Sequence, residues 1–304
     1  MQVRPETPQD YAGIASLHAR AFGNRAAEAA VVALRRQCAQ YDAELSLVAV
    51  ENGVIVGHVL LAPCTIRLLG RDVRAVNLAP IAVAPDRQRQ GIGSALVSEA
   101  HAAAIRKNYT ISFLLGDPAY YSRLGYRPAA FGSSFSEISS ITQPGCGLHR
   151  RGVNSADIPA LNALWRVEER EVDFSIEPGE ELLEWLSPNP AIQTCVYTCA
   201  GEVVGYTRVH AGEKDSPRMF LARDERTAAS IVHALANDAG ASRILLPLHP
   251  YSRSAGLFPA VCTAWDAGMA CSLAPGAFDE YYAMVRGGRR APGRPVWPVC
   301  FDLA

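Results

Sequence analysis

An apolar strand, a glycine-bearing basic turn and a helix follow one another between residues 76 and 106, and they constrain the fold more than any other stretch. Residues 76–85 are mostly apolar, which favours a buried strand. The turn reads Asp86-Arg87-Gln88-Arg89-Gln90-Gly91-Ile92-Gly93-Ser94. Beyond it, Ile92, Leu96, Ala100 and Ala103 recur at helical spacing, which predicts one apolar helix face lying against a sheet. The segment therefore predicts an α/β architecture.

The turn has the properties of an anion-binding site. The first N–H groups of a helix have no acceptor inside the helix, and the helix dipole adds partial positive charge there. Gly91 and Gly93 would let a ligand approach the backbone, while Arg87 and Arg89 add donors suited to phosphate oxygens. We therefore predict a pyrophosphate site. A Rossmann fingerprint fits less well because Leu96 occupies its third glycine position, and no Walker Gly-Lys-Ser or Gly-Lys-Thr occurs.

These features are joined by a tyrosine-bearing segment further along the chain. In order, the motif residues are Val83-x-Pro85, Gln88-x-x-Gly91-x-Gly93 and Tyr121-x-x-x-Gly125-Tyr126. This set is similar to the acyl-CoA site of the GNAT family of N-acyltransferases. The resemblance implies an α/β (α+β) fold with a mixed, mostly antiparallel sheet. That sheet would be flanked by helices and splayed between its fourth and fifth strands, which we place at residues 74–84 and 110–115.

The resemblance also implies acetyl-CoA as the cosubstrate, lying in the gap between those strands. Its expected contacts are Ile81, Ala82, Val83, Gln88, Arg89, Gln90, Gly91, Ile92, Gly93 and Ser94. Pro80 cannot donate to a strand ladder, so it fits either a bulge at the opening or a plain edge-strand position.

An amine would attack the thioester directly, and the family pattern gives Tyr121 the role of protonating the departing thiolate. Tyr120 is its rival, since neighbouring helical residues face different ways. Asp117 before Pro118 is interpreted as a helix cap rather than a catalytic group.

The group that removes the amine's proton is not singled out. Glu28, Asp42 and Glu44 lie near the expected acceptor site, although each is interpreted as a solvated surface charge. The terminal carboxylate of Ala304 is a further candidate, used by some relatives with tandem units. The acceptor is expected to be a small-molecule or peptide amine, with antibiotics and protein lysines left open. The alternative function is a non-catalytic acyl-CoA-binding protein or sensor.

Two blocks recur along the chain and predict two units. Positions 4, 10 and 17 (Arg, Asp, Leu) correspond to 151, 157 and 164, a constant offset of 147. A hairpin turn and strand at residues 52–58 correspond to residues 200–206. We therefore predict an N-terminal GNAT domain at residues 1–145 and a degenerate GNAT-like domain at residues 146–304.

The second unit lacks the phosphate turn, because residues 221–230 contain no Gly-x-Gly. It is expected to complete the substrate cleft, hold a partner subunit, or only pack against the first unit. The basic run at residues 286–294 is interpreted as a solvated loop rather than an anion contact, and residues 295–301 as a strand.

The chain has 304 residues, of which 49% are hydrophobic, enough to build a packed core. The net charge of −1 argues against a nucleic-acid partner, and the lack of a long apolar run predicts no membrane span. Scattered cysteines and an N-terminus without an apolar signal core favour a cytoplasmic protein. No metal-binding motif is present, and a homodimer is left open.

Overall fold

The computed structural model describes residues 1–139 and 147–303. Its strands are β1 (Gln2–Pro5), β2 (Ser46–Glu51), β3 (Val54–Leu68), β4 (Arg71–Val83), β5 (Ile111–Leu115), β6 (Gly132–Ile138), β7 (His149–Gly152), β8 (Ile192–Cys199), β9 (Glu202–His210), β10 (Met219–Ala222), β11 (Ile244–Leu246), β12 (Val261–Ala264) and β13 (Gly268–Ser272). Its α-helices are α1 (Tyr11–Ala21), α2 (Ala27–Arg35), α3 (Ile92–Arg106), α4 (Pro118–Tyr121), α5 (Ile158–Glu168), α6 (Glu225–Ala239) and α7 (Ala277–Arg286).

The larger sheet has six strands in the order β1-β2-β3-β4-β5-β13. Each neighbouring pair is antiparallel except β4 and β5, which run parallel. The fourth and fifth strands lie where the sequence places them, with β4 beginning at residue 71 rather than 74. The predicted mixed, mostly antiparallel sheet is confirmed.

Helices cover both faces of this sheet. Side chains alternate between the two faces along each strand, and apolar side chains on both faces pack against helices. Leu47 and Leu61 pack with α3 in one buried cluster, which includes the predicted apolar face of that helix. The intervening residues Val48 and Leu60 pack instead with Ile14 of α1 and with α2. The layer of α1 and α2 therefore lies opposite α3, and the sheet is buried between them.

The second half repeats this layering around a four-stranded sheet of order β10-β9-β8-β7. Val196 packs with α5, whereas its neighbour Tyr197 packs with α6. The recurring sequence blocks also form the same local contacts. The Arg4 guanidinium binds both oxygens of Asp10 at 2.7 and 2.9 Å, and Arg151 binds Asp157 at 2.7 and 2.6 Å.

The two halves exchange strands. β13, which follows the second sheet in sequence, pairs with β5 over five positions and completes the larger sheet. β6, which follows the first sheet in sequence, lies between β11 and β12 in a separate three-stranded sheet. Strand pairing therefore crosses between the two predicted units in both directions. The predicted boundary between residues 145 and 146 lies outside the described residues.

The chain segment after α7 differs from the sequence prediction. Residues 295–301 do not form a strand; an irregular segment ends in a 3-10 helix at Val299–Leu303. Backbone hydrogen bonds between Gly132 and Gly293 and between Arg294 and Asp173 anchor this segment to the rest of the molecule. Prolines at positions 295 and 298 explain the lack of a strand, because proline has no N–H to donate to a ladder. Among residues 1–139 and 147–303, no helix is long and apolar enough to cross a membrane.

Candidate active site

The N-terminus of α3 presents free backbone donors. The N–H groups of Ile92, Gly93 and Ser94 have no acceptor among the described residues, and Gly91 has no side chain with which to cap the helix. The first helical hydrogen bond runs from the N–H of Ala95 to the carbonyl of Gly91 at 3.0 Å. Gly91 has φ +84°, a left-handed conformation that glycine adopts without steric cost. The turn therefore offers a row of donors together with the positive end of the helix dipole.

The two arginines of the turn are placed differently. Arg87 forms ion pairs with Glu51 at 3.3 Å and Asp86 at 3.8 Å. Arg89 is exposed and forms no ion pair within residues 1–139 and 147–303. Gln88 and Gln90 are also exposed, and their side chains donate to the carbonyls of Val83 and Asp86. Of the two arginines, Arg89 is therefore the one available to an anion.

The larger sheet splits next to this turn. β4 and β5 pair only from residue 75 to 77 on β4 and from 111 to 113 on β5. At the last pair, the Asn77 side-chain amide donates to the carbonyl of Phe113 at 3.2 Å. Beyond this point, β5 stays paired with β13 and diverges from β4. The predicted splay between the fourth and fifth strands is confirmed, and it opens a gap along one edge of β4.

A bulge in β4 lies beside this gap. The pairing register with β3 shifts around Pro80, as the bulge interpretation of that proline predicted. Past the bulge, the N–H of Ala84 donates to Val56 of β3 at 2.9 Å. Since N–H groups alternate sides along a strand, those of Ile81 and Val83 point away from β3 into the gap. The backbone groups of Ala82 are turned toward β3.

The gap continues into a cavity of about 740 Å³ between the two halves of the chain. The first half contributes Phe22, Glu28, Leu78, Pro80, Ile81, Leu115 and Tyr121 to its wall. The second half contributes Arg208, Arg218, Trp265, Arg294, Trp297, Phe301 and Asp302. The wall is therefore largely apolar with a few charged groups, which is the usual composition of a small-molecule site.

Tyr121 lies on this wall at the end of α4. The side chain of Asp117 accepts from the N–H of Ala119 at 2.9 Å with Pro118 at the first helical position, so the predicted cap is confirmed. The Tyr121 hydroxyl has no hydrogen-bond partner in the described part of the chain. Burial, reinforced by the neighbouring Tyr120, raises the pKa of Tyr121 to about 12. The phenol therefore holds its proton at neutral pH.

The two other tyrosines of this region are placed differently. A Cβ added to Gly93 would lie 2.6 Å from the Tyr120 hydroxyl oxygen, so Tyr120 packs over the phosphate turn. The hydroxyl of Tyr126 is buried and hydrogen-bonded to Ser112 at 2.6 Å and to His101 at 2.8 Å. Of the three phenols, only that of Tyr121 faces the cavity.

The three carboxylates considered from the sequence differ in whether they line the cavity. Asp42 and Glu44 both bind Lys107, at 2.8 and 2.5 Å, and neither lines the cavity. Glu28 does line it, with one buried carboxylate oxygen lacking a hydrogen-bond partner among the described residues. The expectation that Glu28 is a solvated charge is therefore wrong, because folding places α2 over the gap. Ala304 lies outside the described residues.

Sequence reasoning missed the charged groups that the second half contributes. Arg208 and Arg218 lie 3.8 and 3.2 Å from Asp302. Arg294, interpreted as part of a solvated loop, is 6% exposed and binds Glu169 at 2.5 Å. These residues are far apart in sequence and form no motif, so only the basic run around Arg294 gave any signal.

The second half has a helix, α6, in the position that corresponds to α3, and its N-terminus is closed. The carboxylate of Asp224 accepts from the N–H of Thr227 at 2.8 Å. A side-chain anion therefore occupies the place that a bound phosphate would take. Arg223, which could have contacted a phosphate, pairs with Glu202 and Asp224.

Comparison with known proteins agrees with this geometry. Residues 2–129 match the family model described as an acetyltransferase (GNAT) domain. The uncharacterized N-acetyltransferase YhbS of Escherichia coli (strain K12) is 35% identical over 131 residues, covering 43% of this chain and 75% of YhbS.

Two solved structures extend the comparison. A GCN5-related N-acetyltransferase from Kribbella flavida shares the fold over 88% of this chain and 70% of its own, with 19% identity and a TM-score of 0.71. A GNAT family acetyltransferase from Brucella melitensis in complex with acetyl-CoA is 34% identical, covering 41% of this chain and 82% of its own, with a TM-score of 0.37. By its sequence similarity over most of the length of YhbS, the chain belongs to the GNAT family of acetyltransferases.

Proposed function

We propose that this protein is an acetyl-CoA-dependent N-acetyltransferase that acts on a small-molecule or peptide amine. The observation that carries the proposal is the continuity of three features. The uncapped N-terminus of α3 adjoins the gap between β4 and β5, and that gap leads into the cavity that Tyr121 faces. Family membership supports the same activity.

In this proposal, the turn from Gln88 to Ser94 binds the pyrophosphate of acetyl-CoA. The free N–H groups of Ile92, Gly93 and Ser94 would donate to phosphate oxygens, and Arg89 would add charge. The N–H groups of Ile81 and Val83 suit the pantetheine arm and the acetyl carbonyl, with Ala82 holding the strand in place against β3.

When bound, acetyl-CoA would supply a thioester whose carbonyl carbon is attacked by the amine. Backbone N–H groups of β4 would stabilise the resulting oxyanion. Glu28, the carboxylate that the first half contributes to the cavity wall, would take a proton from the amine. Tyr121 would donate its proton to the thiolate as the carbon–sulfur bond breaks. The products are an N-acetylated amide and free CoA.

We further propose that the second half is a degenerate GNAT-like unit that does not bind CoA. Its elements follow the order of the first half, and the Arg151–Asp157 pair repeats the Arg4–Asp10 pair. Asp224 caps the helix that corresponds to α3. This unit would instead supply one wall of the acceptor cavity. A cytoplasmic location and a homodimer remain predictions.

The test is release of free thiol from acetyl-CoA across a panel of primary amines. A transferase should release thiol in proportion to amine acetylated, and mass spectrometry of the product should show the added acetyl group. A non-catalytic acyl-CoA sensor would bind acetyl-CoA, measured by calorimetry, without amine-dependent thiol release.

A further inference from the structure

We propose, building on the proposed acetyltransferase function, that the acceptor is an amine that also carries a carboxylate, which Arg208 and Arg218 bind. The acceptor would thus be an amino carboxylate with an apolar body. The inference rests on three features of the cavity: its unpartnered polar atoms, its charge and its aromatic wall.

The first feature is a set of polar atoms without partners. Buried polar atoms in folded proteins nearly always have a hydrogen-bond partner. On this cavity wall, however, six such atoms have none among the described residues: Glu28 Oε2, Asn77 Oδ1, Ser134 Oγ, Arg208 Nε, Arg294 Nε and Asp302 Oδ2. The set contains both donors and acceptors, so it suits a ligand that bears groups of both kinds.

Four of the six atoms, all but Ser134 Oγ and Asp302 Oδ2, are sorted by the half of the chain that carries them. Asn77 and Glu28 belong to the first half, and Asn77 marks the split where the acetyl group is expected. Their free atoms are acceptors, which suit an ammonium or amine. The arginine donors belong to the second half, on β9 and on the segment after α7. An acceptor molecule would therefore place its amine toward the first half and an anionic group toward the second.

The charge of the second-half wall supports this orientation. The charge of Arg294 is matched by Glu169 at 2.5 Å. Among the described residues, Arg208 and Arg218 share one carboxylate, that of Asp302, at 3.8 and 3.2 Å. Arg208 is 4% exposed, and the one hydrogen bond of its side chain among the described residues is to the carbonyl of Trp297 at 3.0 Å. One carboxylate therefore faces two guanidinium groups, and a second anion in this part of the cavity would be favourable. A carboxylate fits because a guanidinium can bind both of its oxygens.

The aromatic side chains of the cavity wall indicate which kind of molecular body the acceptor has. Aromatic side chains from both halves face the cavity, including Phe22, Trp265, Trp297 and Phe301. Trp297 is fixed by stacking against Phe113, with ring centroids 6.1 Å apart. Rigid aromatic walls favour an apolar ligand body. Glu28 and Asp302 give the site too few anions to suit a polycation.

The test compares amines that share an apolar body and differ in whether they carry a carboxylate. One set is L-phenylalanine, L-phenylalaninamide and phenethylamine; the other is 6-aminohexanoate, 6-aminohexanamide and hexylamine. We expect kcat/KM for the carboxylate member of at least one set to exceed that of both neutral members by about ten-fold or more, as expected for a hydrogen bond to a charged group.

Variants identify the arginines responsible. Arg218→Gln removes the charge of a side chain that is 38% exposed, so folding should be retained. It should raise KM for the carboxylate members relative to KM for the neutral members. Arg226→Gln is the matched control, because Arg226 is an exposed arginine on α6 without an ion pair in the described residues. It should change neither value.

The outcomes separate this inference from the proposed function. If neutral amines are acetylated as well as the carboxylates in both sets, the inference is overturned while the transferase function stands. If no amine releases thiol, calorimetry of the same molecules with the CoA-bound protein decides. Tighter binding of the carboxylate members would support the inference and reject the transferase function, whereas equal or absent binding would overturn both.

Discussion

The rings of Tyr120 and Tyr121 are almost perpendicular, at 84°, with their centroids 4.8 Å apart. Tyr120 turns its hydroxyl toward Gly93 at the phosphate turn, and Tyr121 faces the cavity. Neighbouring residues of a helix point in different directions, so one short helix serves both parts of the site. Because the two hydroxyls face different parts of the site, a Tyr→Phe substitution can remove either one without the other.

We expect Tyr121→Phe to lower kcat by roughly 10²- to 10⁴-fold, the usual range for loss of a general acid. The substitution keeps the ring and its packing against Tyr120 and Tyr126. Affinity for acetyl-CoA should change little, because the phosphate turn is untouched. Steady-state kinetics together with calorimetry would measure both quantities.

Tyr120→Phe is the matched control and should leave kcat within a few-fold of the wild-type value. It removes a hydroxyl that packs beside Gly93 rather than one that faces the cavity. If kcat fell in Tyr120→Phe and not in Tyr121→Phe, Tyr120 and not Tyr121 would be identified as the proton donor.

The pH dependence of turnover follows from the same phenol. Burial raises the pKa of Tyr121 to about 12, so the hydroxyl stays protonated throughout the neutral and moderately alkaline range. Between pH 7 and pH 10 we therefore expect no decline in kcat that is caused by ionisation of Tyr121. Any decline in this range should also be seen in Tyr121→Phe. A decline in that range, absent from the variant, would mean that the phenol ionises there and is more exposed than the structure shows.

Gly91 and Gly201 form a matched pair for testing the phosphate turn. Both have φ +84°, and a Cβ added to either would meet no atom within 4 Å. Alanine at either position should therefore cost about 1 to 2 kcal/mol of folding stability from the left-handed conformation. Only Gly91→Ala should weaken acetyl-CoA binding, by about ten-fold or more, because its methyl group enters the phosphate path. Equal affinities of the two variants in calorimetry would exclude this turn as the site.

The features that the sequence predicted are local ones. The turn at Gly91 and the cap formed by Asp117 each depend on a few adjacent residues whose backbone preferences are strong. The bulge at Pro80 was one of two interpretations that the sequence left open. The splay between β4 and β5 could be expected only through resemblance to a family, since nothing in the strands themselves requires it.

The second wall of the cavity could not be predicted in this way. Arg208 and Asp302 are 94 positions apart in the sequence. They meet only because the segment after α7 returns between the halves. The strand exchange was missed for a related reason. The sequence analysis did not identify β13 as a strand, and an apolar pattern would not specify which sheet edge a strand joins.

Buried histidines should make the protein sensitive to mild acid. His18 and His58 are fully buried and hydrogen-bonded to each other at 2.8 Å. Burial lowers the pKa of His18 to about 3, from 6.5, and also lowers that of His58. A lowered pKa means that the unfolded state binds the proton first as pH falls. Stability is thus intact above pH 6.5 and is lost below it, by about 1.4 kcal/mol at pH 5.5 for His18.

Chemical denaturation at pH 7.5 and 5.5 would measure this loss. His18→Gln should have a shallower pH dependence than the wild type, whereas the exposed His149→Gln should not differ from it. The lowered pKa values of Glu6 and Asp10 contribute stability that is constant above their ordinary values of 4.5 and 3.8 and is lost only as the pH falls below those values, so they add no pH dependence in this window. A wild-type free energy of unfolding that is unchanged between the two pH values would contradict the prediction.

The exchange of β6 and β13 should make the two halves unfold together. β13 forms one edge of the larger sheet, and β6 is the central strand between β11 and β12. Neither half keeps its complete sheet if the other unfolds, so calorimetry should show one cooperative transition or two strongly coupled ones. Acetyl-CoA should then raise the transition temperature and protect both halves from proteolysis, although its predicted contacts all lie in the first half. Two independent transitions, with only one shifted by acetyl-CoA, would show that the strand pairing between the halves contributes little stability.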